Sequence, residues 1–224
     1  MTPPVDTPEA VEPRVLLVDD HDLFRTGLRN LLAEQGVQVV GEAQNGTDAL
    51  RLVREAQPDV VVMDLNMPGI SGVEATRQIS MFAPLTRVLV LTISDQDADV
   101  MNAIMAGACG YLLKDAAIDD LIRGIQSAAV GESLVSPTIA SKVLQRMRAT
   151  TASQHDADLI QQELSDREIQ VLKLIANGKD NAQIAADLHI SPKTVKNHIS
   201  NILMKLQIQN RIQAAVYAVR SGIV

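Results

Sequence analysis

Five side chains of complementary chemistry stand directly after short apolar runs in this chain. Asp19 and Asp20 follow VLLV (15–18), Asp64 follows VVVM (60–63), Thr92 follows VLVL (88–91) and Lys114 follows GYLL (110–113). If these runs are parallel strands, their C-terminal ends share one sheet edge. That edge is where open α/β sheets bind ligands, beside the topological switch point. Three carboxylates in one crevice repel one another, and a divalent cation relieves that repulsion. Mg²⁺ suits the ligand set, because it takes hard oxygens, typically one or two carboxylates with waters and phosphate oxygens. One acid at one strand end is more simply a solvated residue. Polar groups of complementary kind at four strand ends predict a shared site.

The elements that must position these groups are legible from 14 to 131. A further run, VQVVGE (37–42), is shorter and more alternating, as an edge strand is. Between the runs lie segments of helical spacing, such as Leu28, Leu31 and Leu32, then Ala49, Leu50 and Val53. Strands alternating with helices at this pace predict βαβ crossovers and an α/β doubly wound, five-stranded parallel sheet. Residues 1–13, rich in proline and acids, read as a disordered leader. A short helix from Ser136-Pro137 to about Met147 and the polar stretch RATTASQHDAD form a linker over 132–162. From 163 to 224 the pattern is all-α, with four helices.

Asp19-Asp20, the stretch Asp64-Leu-Asn-Met-Pro-Gly with Gly72 eight residues after Asp64, Leu91-Thr92 and Gly110-Tyr111-Leu-Leu-Lys114 together resemble the receiver domain of two-component response regulators, a flavodoxin-like fold. The resemblance implies that Asp64 is the phosphoacceptor, taking a phosphoryl group from a sensor kinase histidine. It implies Mg²⁺ held by Asp20, Asp64 and the backbone carbonyl of Asn66, with Asp19 helping directly or through water. Phosphoryl transfer needs charge neutralisation and positioning, which Lys114, Thr92 and the metal would supply. In the family Thr92 moves toward the phosphoryl group and Tyr111 turns inward as the switch. Ile93 is bulkier than its counterpart in many receivers, and could slow donor access or restrict Tyr111. His21, beside the acidic pair, reads as a surface or capping residue, and Cys109 as a small buried thiol.

In the last third, Leu164-Ser165-Asp-Arg-Glu168 is a capping box, Asn177-Gly178 a helix stop, and Ser191-Pro192 an N-cap with a first-turn proline. In the helix that follows, Val195, Ile199, Ile202 and Leu206 form one apolar stripe. The opposite face carries Lys193, Asn197, Ser200 and Asn201, with Lys196 at its border. Two helices joined by a tight turn, the second showing cations and amides outward, read as a helix-turn-helix. Lys can reach guanine edges or phosphates, Asn can read adenine, and Thr194 can meet a phosphate. The stretch from LSDREIQVL through TVKNHISNIL resembles the LuxR-type helix-turn-helix, and both halves together resemble the NarL/FixJ regulators. That resemblance implies base contacts from Lys196, Asn197 and Ser200, backbone contacts from Lys193 and Thr194, and dimerisation through the last helix. There the small residues Ala214, Ala218 and Ser221, with Tyr217, suit close helix–helix approach.

Charge and composition agree with this division. Residues 1–150 carry 12 basic and 20 acidic side chains, a balance of −8; residues 151–224 carry 8 and 7, a balance of +1, with no acid after Asp187. One cysteine excludes a disulfide framework, and 2% aromatic content argues against ring-stacking surfaces. No apolar run reaches the ~18 residues of a membrane span, and the start has no basic segment of a signal peptide, so a cytoplasmic protein is expected. The expected partners are a sensor histidine kinase, double-stranded DNA, RNA polymerase and, when activated, a second copy. No enzyme is expected beyond Mg²⁺-dependent self-phosphorylation and dephosphorylation. The alternative is a DNA-binding regulator with a vestigial receiver. In the resting form the acidic half is expected to pack on the basic half and block its third helix.

Overall fold

The computed structural model describes residues 12–133 and 164–224. Most of the leader and nearly all of the linker, including its expected helix, lie outside the described residues. The strands are β1 (Arg14–Val18), β2 (Gln38–Ala43), β3 (Val60–Met63), β4 (Arg87–Thr92) and β5 (Gly110–Leu113), all parallel, in the order β2-β1-β3-β4-β5. Helices α1 (Asp22–Glu34), α2 (Gly46–Ala56), α3 (Gly72–Phe82), α4 (Asp97–Ala106) and α5 (Ile118–Ala129) follow the strands in turn. The alternating run at 37–42 does become an edge strand, β2.

Successive strand residues serve opposite layers, as the pleat requires. Val15, Leu17, Val60, Val62, Leu89 and Leu91 pack with Leu28 and Leu32 of α1 and Leu121 and Ile125 of α5. Leu16, Val18, Val61, Met63 and Val88 pack on the other face, with Ala49, Leu50 and Val53 of α2 and Ala75 and Ile79 of α3. Burial on both faces is why these strands read as unbroken apolar runs. Of the three leucines that suggested α1, Leu28 and Leu32 are buried, while Leu31 is 47% exposed.

The C-terminal unit holds α6 (Asp166–Ala176), α7 (Asn181–Leu188), α8 (Pro192–Lys205) and α9 (Arg211–Arg220). The predicted capping box at Ser165 and Glu168 is formed in both directions, and a second one joins Asp180 and Gln183. Ser191 caps α8 by accepting from the Thr194 amide. The apolar stripe of α8 meets Val171, Leu172 and Ile175 of α6 and Ile184 of α7 in one core. Burial opposes ionisation of Glu168, but the Lys205 ammonium at 2.7 Å and the amide and hydroxyl of Ser165 hold its carboxyl below the usual range. This ion pair ties the start of α6 to the end of α8.

The two units touch through α4 and α9. Val216 is buried with Val100, Ala103, Ile104 and Tyr111 of the α/β unit, and Ile212 and Val219 flank it. Asn210 Nδ2 donates to the carbonyls of Ile104 (3.3 Å) and Ala108 (3.0 Å), and Gln213 Nε2 donates to Ile104 O at 2.8 Å. Two side chains of one unit thus donate to the Ile104 carbonyl in the last turn of α4, which also accepts the Gly107 amide, and to the Ala108 carbonyl just past the helix. The approach is close: a Cβ on Gly107, at φ +113°, would lie 2.5 Å from Gln209 Oε1.

Candidate functional site

Parallel pairing brings the ends of β1, β3, β4 and β5 to one edge, which carries all five predicted residues, with Asp19, Asp20, Asp64 and Lys114 gathered in one group. Lys114 Nζ lies 2.7 Å from both Asp19 Oδ2 and Asp64 Oδ2. Burial lowers the pKa of Lys114, yet hydrogen bonds to Asp19 and Asp64 and their charges outweigh it and raise the pKa, keeping the ammonium protonated. Phe24 of α1 lies under it, the ring centre 4.6 Å away. Asp19 and Asp64 are buried, 5% and 2% exposed. Asp64 Oδ1 accepts the Asn66 amide at 3.3 Å, and Asn66 itself is exposed at the rim. Thr92 is fully buried, and its hydroxyl accepts weakly from the Ser94 amide at 3.4 Å.

The donor set fits a divalent cation. Asp19, Asp20, His21 and Asp64 each offer a ligand atom within 4.8 Å of the others. Asp20 Oδ1 is buried and has no hydrogen-bond donor; His21 Nδ1 lies 2.8 Å from it without hydrogen-bond geometry. Three carboxylates against one ammonium leave a local charge of −2, which a divalent ion neutralises. The structure therefore brings His21, expected at the surface, into the acidic group while leaving its side chain 68% exposed.

A glycine lets α3 begin close under Asp64. A Cβ on Gly72 would sit 1.9 Å from the Asp64 carbonyl oxygen and 2.7 Å from Leu65 Cα. Gly72→Ala is expected to displace the β3–α3 loop and cost about 2–3 kcal/mol of stability, the usual scale of overpacking, measured as a lower midpoint in urea. The same variant should take up phosphoryl groups more slowly, because Asp64 moves with its loop.

Tyr111 is fully buried and points inward, its hydroxyl donating to Ser94 O at 2.8 Å. Burial, with the carboxylates of Asp99, Asp95 and Asp64 nearby, raises its pKa, so the phenol stays neutral. Its ring lies in the cluster that holds Val216 of α9. Ile93 is 73% exposed. Cys109 is buried, and burial pushes its thiol up to about 12.

On α8, Lys193, Lys196, Asn197 and Ser200 are exposed, and Thr194 is half-buried with its hydroxyl 2.8 Å from that of Ser191. The α/β unit does not cover this face. The expected occlusion of the third helix is therefore corrected: the contact falls on α9 instead. Opposite charge does not carry it either, since apolar side chains and two amides do, with Glu132 adding attraction to Arg211. The expected pairing face is corrected too. Ala214 and Ala218 are fully buried within the helical unit's own core, where small residues allow α9 to approach α6. Tyr217 and Ser221 remain half-buried, and Ser221 Oγ donates to Tyr217 O. The apolar face of α9 left over is Ile212, Val216 and Val219, which the α/β unit covers.

Two family models match the chain: a response regulator receiver domain over residues 15–126, and bacterial regulatory proteins of the luxR family over residues 162–218. The transcriptional regulatory protein LiaR of Bacillus subtilis is 43% identical over 214 residues, spanning 94% of this chain and 99% of LiaR. The crystal structure of response regulator ChrA from a heme-sensing two-component system matches with a TM-score of 0.52 and 36% identity, over 95% of this chain and 99% of ChrA. A structure of two RcsB dimers bound to two parallel DNAs matches with a TM-score of 0.55 and 25% identity, over 94% of this chain and 98% of RcsB. Among the described residues no helix is long and apolar enough to cross a membrane.

Proposed function

Since this chain belongs to the two-component response regulators that join a receiver to a LuxR-type DNA-binding domain, we propose that phosphorylation of Asp64 by a sensor histidine kinase controls its dimerisation and its sequence-specific DNA binding. It is a transcriptional regulator. The observation that carries the proposal is the meeting of Asp19, Asp20, Asp64 and Lys114 at one sheet edge, with Thr92 at the end of the neighbouring strand, in a chain whose other half exposes Lys196 and Asn197 on a recognition helix.

In the transfer step, one Asp64 oxygen attacks phosphorus as the bond from the donor's nitrogen breaks, and the leaving imidazole keeps the electron pair and takes a proton. Asp20, Asp64 and the Asn66 carbonyl, with help from Asp19, would hold Mg²⁺, which would supply neutralising charge for the phosphoryl oxygens. Lys114 turns from the carboxylates to a phosphoryl oxygen, and the Thr92 hydroxyl donates to another. In this reading the chain's own chemistry is self-phosphorylation and dephosphorylation. The proposed setting is the cytoplasm, with RNA polymerase as a further partner. The DNA-bound dimers of RcsB support a dimer on DNA here too.

Restraint acts on α9. Movement of Thr92 pulls on Ser94, whose carbonyl holds the Tyr111 hydroxyl, and Tyr111 packs against Val216. Phosphorylation then favours the arrangement in which α9 is free to pair with a second copy. The test compares affinity for an operator fragment with and without beryllofluoride and Mg²⁺ in the same salt; equal affinities would sink the proposal. Gln213→Ala removes the 2.8 Å bond to Ile104 O. At about 1 kcal/mol for such a bond, the unphosphorylated variant is expected to bind DNA about fivefold more tightly, with the activated form unchanged.

A further inference from the structure

Arg25 is the one arginine of α1 whose side chain is nearly sealed from water, 7% exposed, while Arg29 one turn on is 46% exposed. Its Nη1 donates to the backbone carbonyl of Asp19 at 2.6 Å, its Nε to Glu42 Oε2 at 3.2 Å, and its Nη2 to Asp22. The Asp19 carbonyl belongs to the peptide that joins Asp19 to Asp20. The amide on the other side of Asp19 is held by Ala43 O at 3.0 Å. Arg25 also shares with Asp19 and Asp64 the wall of a small void of about 10 Å³.

We infer that Arg25 is a positioning residue for the divalent cation: by clamping the Asp19–Asp20 peptide, it aims both carboxylates at the ion. The inference rests on the reading of the acidic group as a metal site. A peptide plane free to turn would swing the two side chains apart, and Mg²⁺ tolerates little departure from octahedral geometry. The guanidinium is suited to the task because its planar fork serves three acceptors at once, which an ammonium on a flexible stem cannot reproduce. Glu42 and Asp22 compensate the buried charge, so Arg25 can lie close to the site without itself competing for the carboxylates.

The test is calorimetric titration of the full chain with Mg²⁺, in about 0.5 M KCl to damp long-range charge effects. Wild type is compared with Arg25→Lys, Arg25→Gln and Arg29→Gln. Both Arg25 variants are expected to bind Mg²⁺ about tenfold more weakly. Arg29→Gln, which loses a bond to the same Glu42 without touching Asp19, is expected to bind as wild type does. A nearby charge acting alone gives the opposite sign, because removing a cation strengthens cation binding. A purely structural role lowers the thermal midpoint and leaves the Mg²⁺ affinity of the folded protein where it was. Unchanged or tighter binding by the Arg25 variants overturns the inference. Glu42→Gln keeps both arginines and, of the three bonds of Arg25, loosens only the Nε anchor, while its loss to Arg29 is controlled by Arg29→Gln, so a twofold to fivefold loss is expected; an unchanged affinity there overturns the inference even where the Arg25 variants fail to fold. Wild type that binds no Mg²⁺ overturns the metal reading itself, whereas binding wild type with unshifted variants overturns only the role of Arg25.

Discussion

Asp64→Asn is expected to take up no phosphoryl group when incubated with acetyl phosphate and Mg²⁺, while wild type should gain one, a difference read by weighing the intact proteins. The amide that replaces the carboxylate has no anionic oxygen to attack phosphorus. Folding should survive the change, because Lys114 still has Asp19 at 2.7 Å and the side-chain carbonyl of the new amide can still accept from the Asn66 amide. Chelating Mg²⁺ from the wild type should abolish uptake equally, since the −2 left by three carboxylates and one ammonium then repels the incoming phosphate. Wild type that gains no mass would establish the vestigial reading instead, leaving DNA binding as the chain's whole function.

Lys196→Ala combined with Asn197→Ala is expected to weaken binding to the operator by about thirtyfold or more. Each base-edge contact contributes about 1–3 kcal/mol, and 1.4 kcal/mol is about tenfold in affinity. Both side chains are exposed, and neither belongs to the core stripe of Val195, Ile199 and Ile202, so stability should stay within about 0.5 kcal/mol of wild type. Lys193→Ala behaves differently if it meets phosphate: binding weakens on every sequence, and the salt slope falls by about one. Fluorescence anisotropy on operator and scrambled DNA at several salt concentrations separates the two behaviours. Equal losses on both DNAs for the double variant would contradict base reading by Lys196 and Asn197.

What the residues reveal in advance depends on how local the physics is. The acidic crevice is legible because parallel strands put every C-terminal end on one edge, so Asp19, Asp64, Thr92 and Lys114 need only be strand-end residues to meet. The helix ends are legible for the same reason: Ser165 and Ser191 each cap a helix that begins at the next residue. Arg25 left a fainter trace, a charged residue three positions before Leu28 and seven before Leu32 on the buried stripe of α1. A charge there asks for a buried partner, and the partner is a backbone carbonyl that no sequence pattern displays. The basic tail shows the limit of counting charges. Lys205 is committed to Glu168, and Arg211 donates to Asn181 Oδ1 and Lys179 O. Lys193 and Lys196 are left to face outward on α8. The role of α9 was illegible for a related reason. Its alanines fit the small-residue pattern of a pairing helix, and that same pattern serves packing inside one unit. Which use prevails depends on where α6 lies.

Asn210 serves two helices with one amide. Its oxygen accepts the Gln213 amide at the start of α9, and its nitrogen donates to the carbonyls of Ile104 in the last turn of α4 and of Ala108 just beyond it, more than a hundred positions earlier. The halves of this protein are consequently less interchangeable than their separate folds suggest. A chimera that grafts the DNA-binding half onto an unrelated signalling half would keep an intact recognition helix and an intact acidic crevice. Without carbonyls presented at the matching place, Asn210 would lose its acceptors across the contact, and the two halves would be held only by whatever apolar fit remained.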